Sequence, residues 1–262
     1  MKKLVIVGCG RLAEIVADAV INGVLSDYDL VGAYSRTPSK AEHMAVKMQQ
    51  HGRTCKACTT LDDLLALKPD YLVEAASPAA MRQIALPTLK NGTSIVTLSI
   101  GALADADFYE EVKNTAKANG SRVYIASGAT GGFDVLRTAA LMGNASAKFF
   151  NEKGVRALRR SSVYNELLET EKRIVFSGTA TEAIGTFPTG LNVAVAASLA
   201  SVGPEKMQVA MQSTPGFVGD TQRVEIKNDQ VHAVVDVYSA TPEIAGWSVV
   251  STLLNIASPI VF

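Results

Sequence analysis

The stretch KLVIVGCGRLAEIVADAV, Lys3 to Val20, decides how the chain is read. Four apolar residues, Leu4 to Val7, run into Gly8-Cys9-Gly10. Leu12, Ile15, Val16, Ala19 and Val20 then recur at helical spacing. The pattern predicts a buried strand, a tight turn and a helix. Glycines in such a turn let a ligand's phosphates approach the backbone, and the helix N-terminus offers N–H groups and partial positive charge. The fingerprint is G-x-G-x-x-A, with Ala13 where a small residue lets helix and strand pack closely. Strand, glycines and helix in this order point to a dinucleotide site. A glycine turn in a non-binding α/β domain is the plainer alternative.

Outward from this unit the strand–helix alternation continues. Strands are expected at Asp29–Tyr34, Tyr71–Ala75, Ser94–Leu98 and Arg122–Ala126, with helices at 39–50, 61–67, 79–90 and 105–119. Thr60 is the expected N-cap of the short helix, and Pro87 is expected to bend or break the third long one. Alternation of this kind means a doubly wound parallel sheet, with sites at the C-terminal ends of its strands. Those ends are Gly8–Leu12 (including Gly10 and Arg11), Ser35–Thr37, Ala76-Ser77-Pro78, Ser99–Ala102 and Ser127–Thr130.

Beyond Gly128 the pattern changes. Strands are expected at 149–163 and 173–176 and an alternating stretch at 206–212. A strand–turn–strand is expected over 224–237, helices at 179–185 and 192–201, and a closing helix from Trp247 to Ala257. The expected organisation is a Rossmann domain over 1–128 and an α+β substrate and dimerisation domain over 129–240. A closing segment, 241–262, returns to the Rossmann domain.

With 262 residues, 48% hydrophobic and 19% charged, the chain has enough material for two domains. Lys plus Arg equals Asp plus Glu at 25 each, so there is no electrostatic footprint for nucleic acid or an anionic membrane. Apolar runs are too short for a membrane span, and no basic-then-apolar leader opens the sequence; a cytoplasmic protein is expected. Cys55-Lys-Ala-Cys58 has C-x-x-C spacing with His43 and His51 upstream, but the spacing matches no common zinc finger, and incidental cytosolic thiols are expected rather than a metal or redox site.

The end of the second strand carries the cofactor choice. An acidic residue there would take the ribose hydroxyls. This chain has Ser35-Arg36-Thr37, with Lys40 nearby. Ser35 and Arg36 suit a 2′-phosphate, Arg36 by a charge-assisted fork, so NADP is expected over NAD. A solvated loop charge is the other reading of Arg36.

The chain resembles the L-aspartate dehydrogenases over nearly its full length. The likeness is carried by Gly8-Cys9-Gly10, Glu74-Ala75-Ala76-Ser77, Ser99-Ile100-Gly101-Ala102-Leu103, Ser127 to Asp134, Phe176 to Ala183, Phe187-Pro188 and Asn192-Val193-Ala194. The resemblance implies a Rossmann domain, an α/β substrate domain, a homodimer, and oxidation of aspartate with NAD(P) or the reverse amination. It also implies that Ala129 and Asn192 contact the nicotinamide end of the cofactor. The residues agree: three glycines between Ser127 and Asp134 free backbone N–H groups for a ligand. The side-chain amide of Asn192 either pairs with a carboxamide or caps its helix.

Departures from the family pattern lie on the substrate side. The catalytic His of the family falls at Gln222 and its Asn at Asp220. The family's Asn-Pro-Lys-Thr-Ser run is replaced by Ile244-Ala245-Gly246-Trp247-Ser248, and the first Asn of Phe-Pro-x-Asn-x-Asn is Gly190. Glutamine orients but takes no proton near neutral pH. His232 and Arg160 are the other catalytic candidates: His232 as a stand-in base, or an outward-facing strand residue; Arg160 as a fork for a substrate carboxylate, or a surface charge. The leading expectation is an NAD(P)-dependent oxidoreductase moving hydride between nicotinamide and an amino acid or imine carbon. It is biased to imine reduction or to a substrate other than aspartate. A catalytically silent NADP-binding sensor is the alternative. A sugar or hydroxy-acid dehydrogenase is disfavoured because Ser99-Ile100-Gly101 lacks the Lys-Pro such families carry.

Overall fold

The computed structural model describes residues 1–187 and 190–262; Pro188 of the Phe187-Pro188 motif lies outside the described residues. The chain forms two compact units, Met1–Ala126 with Ala245–Phe262, and Ser127–Ile244.

The first unit holds strands β1 (Lys2–Val7), β2 (Tyr28–Tyr34), β3 (Lys56–Cys58), β4 (Tyr71–Glu74), β5 (Ser94–Thr97) and β6 (Val123–Ile125). Its helices are α1 (Arg11–Ile21), α2 (Pro38–Gln50), α3 (Leu61–Leu65), α4 (Pro78–Lys90) and α5 (Ala106–Ala118). The sheet order is β3-β2-β1-β4-β5-β6, with every pair parallel. The chain winds outward from β1 to β3, then returns to β4 and winds the other way. The strand order therefore reverses between β1 and β4, which is where a doubly wound sheet opens its crevice.

In the second unit lie α6 (Phe133–Leu141), β7 (Ser146–Gly154), α7 (Val155–Leu158), β8 (Arg173–Thr179), α8 (Ala180–Thr186) and α9 (Asn192–Leu199). Strands β9 (Gln208–Thr214), β10 (Asp220–Lys227) and β11 (His232–Ser239) complete it, and α10 (Glu243–Ala257) follows. The mixed sheet runs β11-β10-β7-β9-β8, parallel only at β7–β9. Its inner face buries Ala147, Phe149, Val209, Met211, Val224 and Ile226 against Leu136, Ala139, Ala180, Ala183, Ala194 and Ala197 of the helices. This second unit is α+β, where the first is a parallel α/β unit.

α10 belongs to the first core. Val249, Val250 and Leu253 pack with Ala13, Val16 and Val20 of α1 and with Leu4, Ile6, Leu30 and Val73 of the sheet. Each of these Val, Leu and Ile side chains contributes about 1.5–3 kcal/mol on burial. The fully buried Tyr28 donates its hydroxyl to the Leu253 carbonyl at 2.7 Å.

Three elements differ from the sequence expectation. Lys56–Cys58 is a strand, so the C-x-x-C spans the sheet edge beside β2. α4 continues through Pro87 to Lys90, and the Pro87 carbonyl still accepts from the Asn91 N–H. The strand expected over 149–163 stops at Gly154, because β9 ends at its partner Thr214 and β10 begins opposite Lys153. With no ladder left to join, the chain turns into α7. Within the first unit, Tyr28→Phe removes the hydrogen bond to α10 while keeping the ring. Urea unfolding followed by far-ultraviolet circular dichroism should show a loss of about 1 kcal/mol.

Candidate functional site

β1 ends at Gly8, whose φ is +93°. A Cβ there would lie 2.6 Å from the Ala75 carbonyl oxygen and 2.7 Å from the Ala76 Cβ. No side chain is tolerated, because β1 and β4 approach one another at the strand-order reversal. Gly10 is the N-cap of α1, makes no side-chain cap bond, and a Cβ on it would meet nothing within 4 Å. Open space in front of an uncapped, three-turn helix suits a pyrophosphate. Exposed Arg11 and half-buried Leu12 open that helix, and Ala13 is fully buried.

The loops after β4 and β5 are organised by one buried carboxylate. Glu74 is 0% exposed. Its Oε1 accepts from the Ala76 N–H at 2.8 Å, the Ser77 N–H at 3.1 Å and the Ser99 hydroxyl at 2.8 Å. Its Oε2 accepts from the Thr97 hydroxyl at 2.7 Å and the Ser99 N–H at 3.1 Å. Burial pushes the carboxyl above its ordinary range, and the five donors pull against that shift. The N–H groups of Ala76 and Ser77 are thereby committed, so these residues would meet a cofactor through their remaining surface. The Ser77 hydroxyl is also committed, capping α4 through the Ala80 N–H. Ala102 is buried in a 3₁₀ turn, Ile100–Ala104, after β5.

At the end of β2, Ser35 is half-buried and its hydroxyl accepts from the Thr37 N–H at 3.4 Å. Arg36, Thr37 and Lys40 are exposed. Lys40 lies close enough to Cys9 to offset part of the burial that pushes this thiol to about 11. Burial takes Cys55 to about 12. The thiols therefore stay protonated near neutral pH and are poor nucleophiles or ligands.

In the second unit, the loop from Ser127 leads to α6 through Gly132 (φ +67°), where a Cβ would strike Val235 at 2.7 Å. Ala129 sits in this loop. Asn192 opens α9, but the N-cap is Leu191, so the capping reading of its amide does not hold.

Gln222 lies where the inner face of the second sheet turns polar. Opposite it on β7 is Asn151, and two residues along each strand, on the same face, Asp220 faces Lys153. Gln222 is 3% exposed and Asn151 0%. Asn151 donates to the Asp220 carboxylate and, at 2.8 Å, to the Thr221 carbonyl. Lys153 Nζ lies 3.0 Å from Asp220 Oδ2. Among the described residues, the Gln222 Oε1, Asn151 Oδ1 and Ser213 Oγ atoms are buried without a hydrogen-bond partner. The sequence reading missed Asn151, Lys153 and Ser213. Their signal is a switch from Ala147 and Phe149 to Asn151 and Lys153 along one alternating face.

The other two candidates are not brought to this corner. His232 opens β11 opposite Lys227, while Gln222 pairs with Val237. It is exposed on the opposite face, about 17 Å along the strand, with Nε2 at 3.1 Å from Glu225 Oε1. Arg160 is exposed in the turn after α7.

The comparisons with known proteins agree with this architecture. Residues 8–126 match the profile "Homoserine dehydrogenase, NAD binding domain", and residues 134–256 match "Aspartate dehydrogenase, C-terminal". The L-aspartate dehydrogenase of Methanosarcina mazei is 31% identical over 99% of this chain and 98% of its own. That of Methanococcus maripaludis is 29% identical over the same shares. The crystal structure of aspartate dehydrogenase from Thermotoga maritima superposes with a TM-score of 0.76 at 25% identity, covering 100% of this chain and 99% of that one. With the glycine turn, the reversal of strand order and the mixed second sheet all in place, the chain belongs to the L-aspartate dehydrogenase family of NAD(P)-dependent oxidoreductases.

Proposed function

We propose that the protein reduces a preformed iminium of an α-imino acid, with NADPH as the hydride source. The observation that carries this reading is Gln222, buried at the position where the family pattern has a histidine. The nicotinamide, when bound, supplies or accepts the hydride. The chain's own residues bind, orient and exclude water. Gly8 and Gly10 would admit the pyrophosphate to the start of α1, with Arg11 and Leu12 beside it. Glu74 fixes the loops carrying Ala76, Ser77 and Ser99, and Ala102 follows. Ala129 and Asn192 would hold the nicotinamide end.

Amination of a free 2-oxo acid, or hydrolysis of the imine in the other direction, moves protons to and from oxygen and needs a base. An amide side chain supplies none at neutral pH. Hydride addition to an iminium carbon needs only positioning, because the substrate already carries the activating charge. Gln222 therefore suits the hydride step and not the condensation step.

Exposed Arg36, with Ser35 and Lys40 around it, supports NADP over NAD. Among the described residues Arg36 has no hydrogen-bond or ion-pair partner, so its fork is free for a 2′-phosphate. A homodimer is part of this reading, as the resemblance to the family implies.

Steady-state rates should be compared for a cyclic α-imino acid and for oxaloacetate plus ammonia, each with NADPH. The imino acid should be reduced faster, with no rate limb near pH 6.5, the ordinary histidine pKa. Equal rates, or oxidation of aspartate that is insensitive to changes at Gln222, would remove the argument from this residue. NADPH binding without turnover of any imine would favour the silent sensor. Gln222→His should raise the rate with oxaloacetate plus ammonia by about 100-fold and introduce such a limb. Arg36→Ala should raise the KM for NADPH by about tenfold and leave that for NADH within about twofold.

A further inference from the structure

Glu74 is a charge sunk in the first unit without a cation beside it. Its five bonding partners are neutral: the N–H groups of Ala76, Ser77 and Ser99 and the hydroxyls of Thr97 and Ser99. Among the described residues no lysine, arginine or histidine is paired with it. Backbone N–H groups cannot accept, and both hydroxyls turn their protons toward the carboxylate. A proton on the carboxyl would therefore meet no idle acceptor, and the donors hold the group ionised against its burial. Neutral donors spread a charge without cancelling it, as an ion pair would. The loop tie accounts for the acceptor and leaves a net negative charge whose field extends past the loops.

Its place relative to the glycine turn follows from one contact. The Ala76 N–H lies on Glu74 Oε1 at 2.8 Å, and a Cβ on Gly8 would come within 2.7 Å of the Ala76 Cβ. The carboxylate thus sits directly behind the turn suited to a pyrophosphate. To one side of β1 lies β2, whose end carries Ser35 and Arg36. An extended dinucleotide with its adenosine end there and its phosphates at Gly8 lays its other half over the loops after β4 and β5. Those are the loops that Glu74 ties. The phosphates carry the same charge in both oxidation states of the cofactor. The nicotinamide ring is neutral when reduced and cationic when oxidised, so a fixed anion beneath these loops acts on that difference.

We propose that Glu74 is an electrostatic positioning residue for the cofactor couple: its uncompensated buried charge favours the oxidised nicotinamide over the reduced one and makes bound NADPH a stronger hydride donor. This rests on the NADPH reading of the site and adds what sets the direction of hydride flow. Hydride moves with its electron pair from the reduced ring to the iminium carbon, and the positive charge passes from the iminium to the ring. No further oxidant or reductant enters. Glu74 touches neither reacting carbon; it acts through its field and through the loops it ties. Repulsion between Glu74 and the phosphates is common to both oxidation states and cancels in the ratio of their affinities.

Calorimetric titration of the full chain with NADP+ and with NADPH tests the assignment, with 2′-phospho-ADP-ribose as a ligand that lacks the ring. Thermal midpoints are measured in parallel. Glu74→Gln should weaken NADP+ by about tenfold more than NADPH, and 2′-phospho-ADP-ribose should follow NADPH. Glu74→Asp keeps the charge; it should weaken both forms by one factor and leave their ratio as in the wild type. A merely structural role predicts something else: loosened loops cost both oxidation states alike. Equal weakening of the two forms by Glu74→Gln, or a ratio shifted as much by Glu74→Asp, would overturn the assignment and reduce Glu74 to a loop tie. Should Glu74→Gln fail to fold, the wild type decides: it should bind NADP+ at least as tightly as NADPH, and a preference for NADPH of about tenfold or more would overturn the assignment. A wild type that takes up neither nucleotide removes the cofactor reading and this inference with it. Ratios that behave as expected in a protein that reduces no imine would support the inference and count against the proposed function alone.

Discussion

The parallel sheet of the first unit depends on the approach of β1 to β4 at Gly8. The backbone there is left-handed, and a side chain would drive into the Ala75 carbonyl. This contact lies at the one place where the parallel sheet reverses its winding. Strands to one side of it, β2 and β3, carry the Ser35–Thr37 end. Strands to the other side, β4 and β5, carry the Glu74 loops. A chain that could not bring β1 and β4 so close would lose the crevice between the two loop sets, and with it any path for an extended dinucleotide.

Glu74 acts on the same edge by different means. Its five donors come from two loops that are not adjacent in sequence. A carboxylate can serve them all because it only accepts, and three of the donors are backbone N–H groups that can only donate. A glutamine of the same shape would turn an NH₂ toward some of those donors. The buried charge is thus the cheapest way to tie both loops to one point, even though burial itself opposes ionisation.

The elements closest to Gly8 were legible in the sequence because their signals are local. A strand, two glycines and an amphipathic helix follow one another within Lys3–Val20. The Thr60 cap is also local, and its hydroxyl does accept from Asp63. The missed strand Lys56–Cys58 has no period of its own over three residues, and only its pairing with β2 makes it a strand. Asn192 reads as a cap by composition, yet Leu191 takes that position, since apolar burial of Leu191 outweighs cap preference. The Lys153–Asp220 pair joins residues 67 apart, and nothing in either segment alone fixes the register that brings them together.

That register also bears on how the family's chemistry changed. Position 222 alone reads as a loss, an acid–base group replaced by an amide. Position 220 reads as a gain, a carboxylate where the family has an amide. Set on one sheet face, the two changes exchange a titrating group for a fixed charge within two residues of the same strand. The neighbouring strand supplies the matching cation. A fixed ion pair cannot shuttle a proton, but it holds a charged substrate more firmly than neutral amides do. Under the iminium reading proposed above, this exchange gives up proton transfer at the corner and leaves the chemistry to a substrate whose carbon arrives already activated.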